Sequence, residues 1–258
     1  MQDKIIIENV SKTFSGEREI VALSDVSFSV KENEFLCVLG PSGCGKTTLL
    51  NIIAGLEKLT SGRILVDGKE VKGPGADRGV IFQAYALFPW KTVLQNIEFG
   101  PKLRGVPKKQ RRELAVKYIK SMGLAGFEHA YPKELSGGMK QRVAIARVYI
   151  NDPAVLLMDE PFANLDAQTR SIMQEELIQI WKQFRKTVFF VTHNIEEAAY
   201  LADRIVILTA RPGKVKEIVD VNSVLPSDRY SPEGKLSAEF IRLERDVWNS
   251  IKEEIKTI

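Results

Sequence analysis

The feature that most constrains this 258-residue chain is an apolar run, Phe35-Leu-Cys-Val-Leu39, that meets Gly40-Pro-Ser-Gly-Cys-Gly-Lys-Thr47 without a spacer. A continuous apolar run bounded by polar residues reads as a strand buried on both faces. The glycines at 40, 43 and 45 then break the regular backbone, and Lys46 to Ala54 reads as a helix stopped by Gly55. Few folds accommodate a buried strand, a glycine-rich turn and a helix in immediate succession.

The turn fits the pattern G-x-x-x-x-G-K-[ST]. Glycines let backbone N–H groups converge on phosphates, and the helix N-terminus that follows favours negative charge. Gly40, Ser42, Gly43, Cys44 and Gly45 are the candidate cradle, with Thr48 in the first helical turn behind it. Lys46 suits the β- and γ-phosphates, and the Thr47 hydroxyl suits Mg²⁺. At average composition, a chance match in a chain this long is on the order of one in a hundred.

Elsewhere the chain alternates. Ile5 to Val10 is strand-like, Val26, Phe28 and Val30 alternate with polar residues, and Gly62 to Gly68 resembles a strand entering an Asp-Gly hairpin turn. Val80 to Phe82 is a further short strand. From about Tyr85 to Ile150 the pattern turns helical, with Pro89, Pro101, Pro107 and Pro132 at boundaries. Strand signals at Val155 to Met158, Val188 to Thr192 and Ile205 to Leu208 then alternate with helices at Ala167 to Arg185 and Ile195 to Ala202. Such alternation implies a parallel sheet with right-handed crossovers. Past Pro226, the spacing of Phe240, Leu243, Val247 and Ile251 predicts one helix face.

Composition narrows the class. Hydrophobic residues at 44% and charged ones at 27% are ordinary for a globular domain. No apolar run reaches the length of about 18 residues that a membrane span needs. The opening Met1-Gln2-Asp3-Lys4 lacks the charged-then-apolar pattern of a secretion signal. Net charge is only +4, and its densest basic stretch, Lys102 to Lys120, reads as a solvated helix face. Anionic lipid or RNA finds less support, because no aromatic residues are interleaved in the cluster itself. Cys37 falls in a buried strand and Cys44 in the glycine loop, so both read as reduced thiols.

Two more motifs carry chemistry. Val155-Leu-Leu-Met-Asp159-Glu160 is an apolar strand ending in two carboxylates, suited to hold Mg²⁺ (Asp159) and to polarise an attacking water (Glu160). Leu135-Ser136-Gly137-Gly138-Met139 precedes a long helical stretch and offers a second anion site. Two phosphate cradles in one chain make sense if one serves a neighbour's nucleotide.

With these motifs in this order, the chain resembles the ABC (ATP-binding cassette) ATPases over about residues 4 to 220. The resemblance implies an α/β fold: a P-loop NTPase core with a mixed or parallel sheet, an N-terminal antiparallel β subdomain and an inserted helical subdomain. It implies an ATPase domain over 1–225, with the helical subdomain at about 85–150, and a C-terminal helical tail over 226–258. ATP and Mg²⁺ are the implied cofactors. Phe14 matches the aromatic residue that stacks on adenine, and Gln83 the glutamine that contacts Mg²⁺ and the attacking water. Asp166, in Ala163-Asn164-Leu165-Asp166, matches the family's loop between two nucleotide sites, and His193 its γ-phosphate histidine. Two positions depart. Met139 stands where glutamine is usual, and its thioether is a poor hydrogen-bond partner. Ala163-Asn164 replaces the commoner Ser-Ala or Gly-Ala.

Within the family, Tyr85 to Ile97, Leu208-Thr-Ala-Arg-Pro-Gly-Lys214 and Phe240 to Trp248 are similar to the nitrate, sulfonate and taurine importer ATPases. The resemblance therefore implies a subunit on the cytoplasmic face of the inner membrane, peripheral to it. Its implied partners are a second copy, head to tail, transmembrane permease subunits and, indirectly, a solute-binding protein, with no nucleic acid. Leu87, Phe88, Pro89 and Trp90 read either as the surface that receives the permease or as core of the helical subdomain. An exporter ATPase, and a nucleic-acid or ribosome ABC protein, are the alternatives. The latter's second cassette or long coiled coil is missing from this chain.

Overall fold

The computed structural model describes residues 2–16, 18–225, 229–231 and 234–255, so the expected tail boundary at Pro226 lies outside the described residues. In chain order the elements begin with β1 (Asp3–Phe14), β2 (Ile20–Lys31), β3 (Phe35–Leu39), α1 (Lys46–Ala54), β4 (Ser61–Val66), β5 (Lys69–Glu70) and β6 (Arg78–Ile81). Helices α2 (Val93–Ile97), α3 (Phe99–Leu103), α4 (Lys108–Ser121) and α5 (Gly137–Tyr149) follow. After them come β7 (Val155–Asp159), α6 (Ala167–Phe184), β8 (Thr187–Val191), α7 (Ile195–Leu201) and β9 (Arg204–Leu208). The described chain closes with β10 (Val215–Asp220), α8 (Val221–Val224) and α9 (Ala238–Ile255). These elements fall into two compact units, residues 1–75 with 174–258, and residues 76–173.

The first unit is organised around β3, whose five residues are all fully buried. Parallel neighbours flank it, β8 in the register Phe35↔Val188 and β9 in the register Leu36↔Arg204. With both faces covered, each of these apolar side chains contributes about 1.5–3 kcal/mol of burial. Antiparallel β10 lies on the outer side of β9. A second sheet, in the order β2-β1-β4-β5, is wholly antiparallel. Its β4–β5 turn carries Asp67 at φ 49° and Gly68 at φ 71°, the double left-handed conformation of a tight hairpin. Glu34 ties this sheet to the parallel one. Its buried carboxylate takes Arg204 Nε and Nη2, the latter at 3.0 Å, and accepts the Lys31 amide at 2.6 Å, while Arg204 also donates to Ser29 O. As the spacing predicts, α9 buries Phe240, Leu243, Val247 and Ile251.

Strands β6 and β7 pair in parallel within the second unit, in the register Arg78↔Val155 to Ile81↔Met158. Gly79 lets α5 lie against β6, since a Cβ there would come within 2.2 Å of Val148 Cγ1. The helical part is organised by Asn96, fully buried on α2. Its Oδ1 accepts the Phe88 amide at 2.9 Å, and its Nδ2 donates to the carbonyls of Phe88, Lys91 and Thr92 at 3.0–3.2 Å. One side chain thus organises the whole 88–92 turn.

The sequence reading and the structure part company at edges. Strands β1 and β2 run longer than Ile5 to Val10 and Val26 to Val30, past irregularities at Asn9 and Asp25, both left-handed and joined by a 2.8 Å hydrogen bond. Phe82 lies beyond β6 rather than within it. Strand β10 has no apolar alternation, because it is an edge strand with charged residues at Lys216 and Glu217.

The Asn96 cluster makes a stability prediction. Asn96→Ala strands a buried amide and several carbonyls, at about 1–3 kcal/mol for the unmet polar groups. Chemical denaturation followed by circular dichroism is expected to show that loss, whereas a change below about 0.5 kcal/mol, typical of a surface site, would deny Asn96 this role.

Candidate functional site

The glycine turn forms as the run of residues requires. Leu39 ends β3, Gly43 (φ 78°) and Gly45 (φ 99°) take left-handed backbone, and α1 starts at Lys46. A Cβ on Gly45 would lie 2.8 Å from Ala22 O and 2.7 Å from Leu23 Cδ2, so only glycine lets the loop sit against β2. No acidic residue occupies the first turn of α1, which leaves its N-terminal amides suited to an anion. Lys46 is 6% exposed, and its ammonium donates to Gly40 O at 2.8 Å and Pro41 O at 3.0 Å. It is therefore folded over the loop it would share with a phosphate. Ser42, Gly43 and Thr47 are exposed, Thr48 half-buried and Cys44 buried. Burial pushes the Cys44 thiol up, against the opposing pull of Lys46. Cys37 is likewise a buried thiol, pushed up by burial.

His193 belongs to the same unit and is exposed two residues after β8, the parallel neighbour of β3. It therefore leaves the sheet at the end from which the glycine turn departs. A buried post steadies this corner: Thr192 Oγ1 donates to Glu197 Oε2 at 2.6 Å, and accepts the Asn194 amide at 3.0 Å. Asn194 in turn caps α7 through the Glu197 amide. Phe14, at the end of β1, is 39% exposed, with Ile20 and Val21 also exposed and Lys12 Nζ 4.6 Å from the ring centroid. Stacking requires an aromatic side chain that solvent can reach, as it can this one.

The second unit holds the other candidates. Asp159 is the last residue of β7, and Glu160 follows it with φ 45°, a left-handed conformation uncommon outside glycine and often kept at functional sites. Asp159 and Glu160 are half-buried, whereas the exposed Gln83 follows β6 by two residues, and the β6–β7 register brings it out beside that strand end. Gln83 O accepts Asn164 Nδ2 at 3.2 Å, so the departure at 164 gives that loop a bond an alanine could not make. Asp166 accepts the Thr169 amide at 3.0 Å ahead of α6, and that contact with Thr169 holds its carboxyl below the usual range. Ser136 caps α5, its Oγ taking the Met139 amide at 3.3 Å, with Gly137 and Gly138 as the first helical residues.

Some contributors carried no signal in the sequence. Arg147, on α5, donates to Ala86 O at 2.7 Å and Tyr85 O at 3.2 Å, where both residues hold left-handed backbone, and stacks over Phe88. It links the helix capped by Ser136 to the segment after Gln83. Of the 87–90 stretch, Leu87 and Phe88 are half-buried, whereas Trp90 is 69% exposed. Among the described residues, no group of three or more His, Cys, Asp or Glu side chains could hold a metal by itself. Thr47 in the first unit and Asp159 in the second each offer the hard oxygen donor that Mg²⁺ prefers. No helix among the described residues is long and apolar enough to cross a membrane.

Residues 23–163 match the ABC transporter family. An uncharacterized ABC transporter ATP-binding protein of Methanocaldococcus jannaschii is 58% identical over 257 residues, covering 99% of this chain and 94% of that one. The nitrate import ATP-binding protein NrtD of Synechocystis is 50% identical over 230 residues, covering 89% and 86%. Among solved structures, a dimeric ATP-binding cassette in a post-hydrolysis state with ADP and Pi superposes with a TM-score of 0.72 at 34% identity, covering 84% of this chain and 98% of that one. The chain belongs to the ABC transporter family, and it is an ATP-hydrolysing, ATP-binding subunit.

Proposed function

We propose that the chain powers uptake of a small solute, such as nitrate, a sulfonate or taurine, through a partner permease. It does so from the cytoplasmic face of the membrane as a peripheral, head-to-tail dimer, with a solute-binding protein as the indirect source of cargo. The observation that carries this reading is the pairing of two anion cradles in one chain, the turn before α1 and the Ser136-capped start of α5. Similarity to a nitrate import subunit supports the direction and the solute class.

In each composite site, Phe14 stacks on adenine, while Gly40, Ser42, Gly43, Cys44, Gly45 and Thr48 line the phosphates. Lys46 leaves its loop carbonyls for the β- and γ-phosphates, an exchange of one hydrogen-bonded position for a charge-assisted one. Thr47, Asp159 and Gln83 would hold Mg²⁺, which would supply neutralisation of the phosphates' negative charge. Glu160 orients and deprotonates the attacking water, and His193 donates to the γ-phosphate. Ser136, Gly137 and Gly138 meet the neighbour's ATP, and Asp166 lies where the two sites communicate. The exposed Trp90 supports a permease-facing role for the segment after Gln83.

Two outcomes test this. Glu160→Gln is expected to keep ATP binding while slowing turnover about a hundredfold, the scale of lost general-base help. Near-normal steady-state turnover would remove Glu160 from that role. The composite arrangement is tested by mixing Lys46→Ala chains with Ser136→Arg chains, each inactive alone. Both lesions then fall in one site of the mixed dimer and leave the other intact, so recovered ATPase activity is the expected result. A photoreactive ATP that crosslinks its γ-phosphate to Ser136 of the chain whose glycine turn binds it would overturn the arrangement.

A further inference from the structure

We propose that the C-terminal helix α9 is a working part of the nucleotide site. It acts through the β9–β10 loop, with Glu254 and Arg211 as positioning residues for the glycine turn. The inference rests on reading that turn as the phosphate cradle.

The loop from Thr209 to Lys214 is braced internally. Thr209 N donates to Lys214 O at 2.9 Å, Lys214 N to Thr209 Oγ1 at 3.0 Å, and Thr209 Oγ1 to Pro212 O at 2.9 Å. A loop closed in this way moves as a block.

Its inner side leans on the cradle. Arg211 Nε donates to Gly43 O at 3.4 Å, and a Cβ on Gly43 would lie 3.4 Å from Arg211 Nη2. In a trans peptide the C=O and the following N–H point in opposite directions. The Cys44 N–H, on the other side of that peptide, bonds Pro41 O at 3.3 Å. Arg211 and Pro41 thus hold the peptide at the crest of the turn from both sides. Gly213 approaches the next peptide so closely that a Cβ would lie 2.1 Å from Cys44 O. It is also zipped to β2, through Gly213 N to Ala22 O at 2.9 Å and Ser24 N to Gly213 O at 3.0 Å.

On the outer side the loop is held by α9. Glu254 Oε2 accepts the Ala210 amide at 2.9 Å, and Lys216 Nζ sits 2.9 Å from Glu254 Oε1. The same ammonium reaches Ser250 O at 2.9 Å and Glu253 Oε2 at 2.8 Å, fastening the last turns of the helix. Lys216 and the Ala210 amide hold the Glu254 carboxyl below the usual carboxylate range, so its bond to the loop is charge-assisted.

Neither side chain is needed to build the core. Four buried apolar residues already dock α9, and Arg211 is exposed. What the pair does is fix the height and tilt of the loop that touches Gly43 and Cys44. Arg211 also adds positive charge at the crest where a polyphosphate would arrive.

The experiment uses the full chain with Arg211→Ala, Arg211→Lys, Glu254→Ala and the Arg211→Ala/Glu254→Ala double variant. A fluorescent ATP analogue reads affinity, and steady-state ATPase assays separate KM from kcat. Each alanine variant is expected to weaken ATP affinity and raise KM about fivefold, the effect of one ordinary hydrogen bond, with kcat within about twofold of wild type. Arg211→Lys is expected to recover most of the affinity. Because both residues act through one loop, the double variant is expected to be no weaker than the weaker single. Should Glu254→Ala melt early, Glu254→Met, which keeps the length of the side chain but removes the carboxylate that accepts the Ala210 amide, takes its place. Unchanged affinity in the singles, a loss confined to kcat, or fully multiplicative losses in the double would each overturn the proposal. Lys46→Ala serves as the reference: if it too binds ATP normally, the reading of the cradle fails first, which is a distinguishable result.

Discussion

Close backbone approach at the Gly40–Gly45 turn is the constraint on which the functional arrangement of this protein depends. To gather several amides around one polyphosphate, a chain must curl with left-handed residues and no side chains in the way. Here that curl is confined on two sides. Strand β2 presses against Gly45 through Ala22 and Leu23, and the loop before β10 presses against Cys44 through Gly213. A turn held in this way loses little conformational entropy when it binds, which is the physical content of preorganisation. The first strand of the parallel set is accordingly buried throughout, because a mobile strand could not serve as the floor of such a turn.

Elsewhere the functional residues share a design: exposed chemistry mounted on buried polar posts. His193 is exposed, but Thr192 and Glu197 beneath it are hydrogen-bonded to each other and buried. The 88–92 turn is held by Asn96, and the segment at Tyr85 and Ala86 by Arg147. A buried polar group costs stability if left unmet, so each post can be occupied only when its loop adopts one conformation. The posts therefore convert burial energy into positional precision at strand ends, where irregular backbone would otherwise wander.

How much of this was legible in the sequence follows from the range of each interaction. The strand, turn and helix at Phe35 to Ala54 were readable to the residue, because apolar burial, glycine and the Gly55 cap act over a few positions. The Asp67-Gly68 hairpin and the apolar face of α9 were readable for the same reason. Strand β10 was not, since an edge strand needs only one partner and carries charges that erase the alternation. The ends of β1 and β2 were hidden by irregularities at Asn9 and Asp25. Candidate site residues stood out by residue type and spacing, yet the groups that orient them did not. Arg147, Glu197 and Glu254 reach carbonyls, hydroxyls or amides that can lie far along the chain, and no local pattern announces such a bond.

The contrast between cradle and posts explains why the last helix carries more than its apolar face. A helix held only by Phe240, Leu243, Val247 and Ile251 would be positioned to the tolerance of hydrophobic packing, which is nondirectional. Lys216 and Glu254 add directional contacts at its final turn, and these fix not only the helix but the loop beyond it. Directional bonds at the end of an otherwise greasy contact are what transmit position. The hydrophobic face keeps α9 on the unit, and the charged end determines where Thr209 to Lys214, and through it the crest of the glycine turn, can sit.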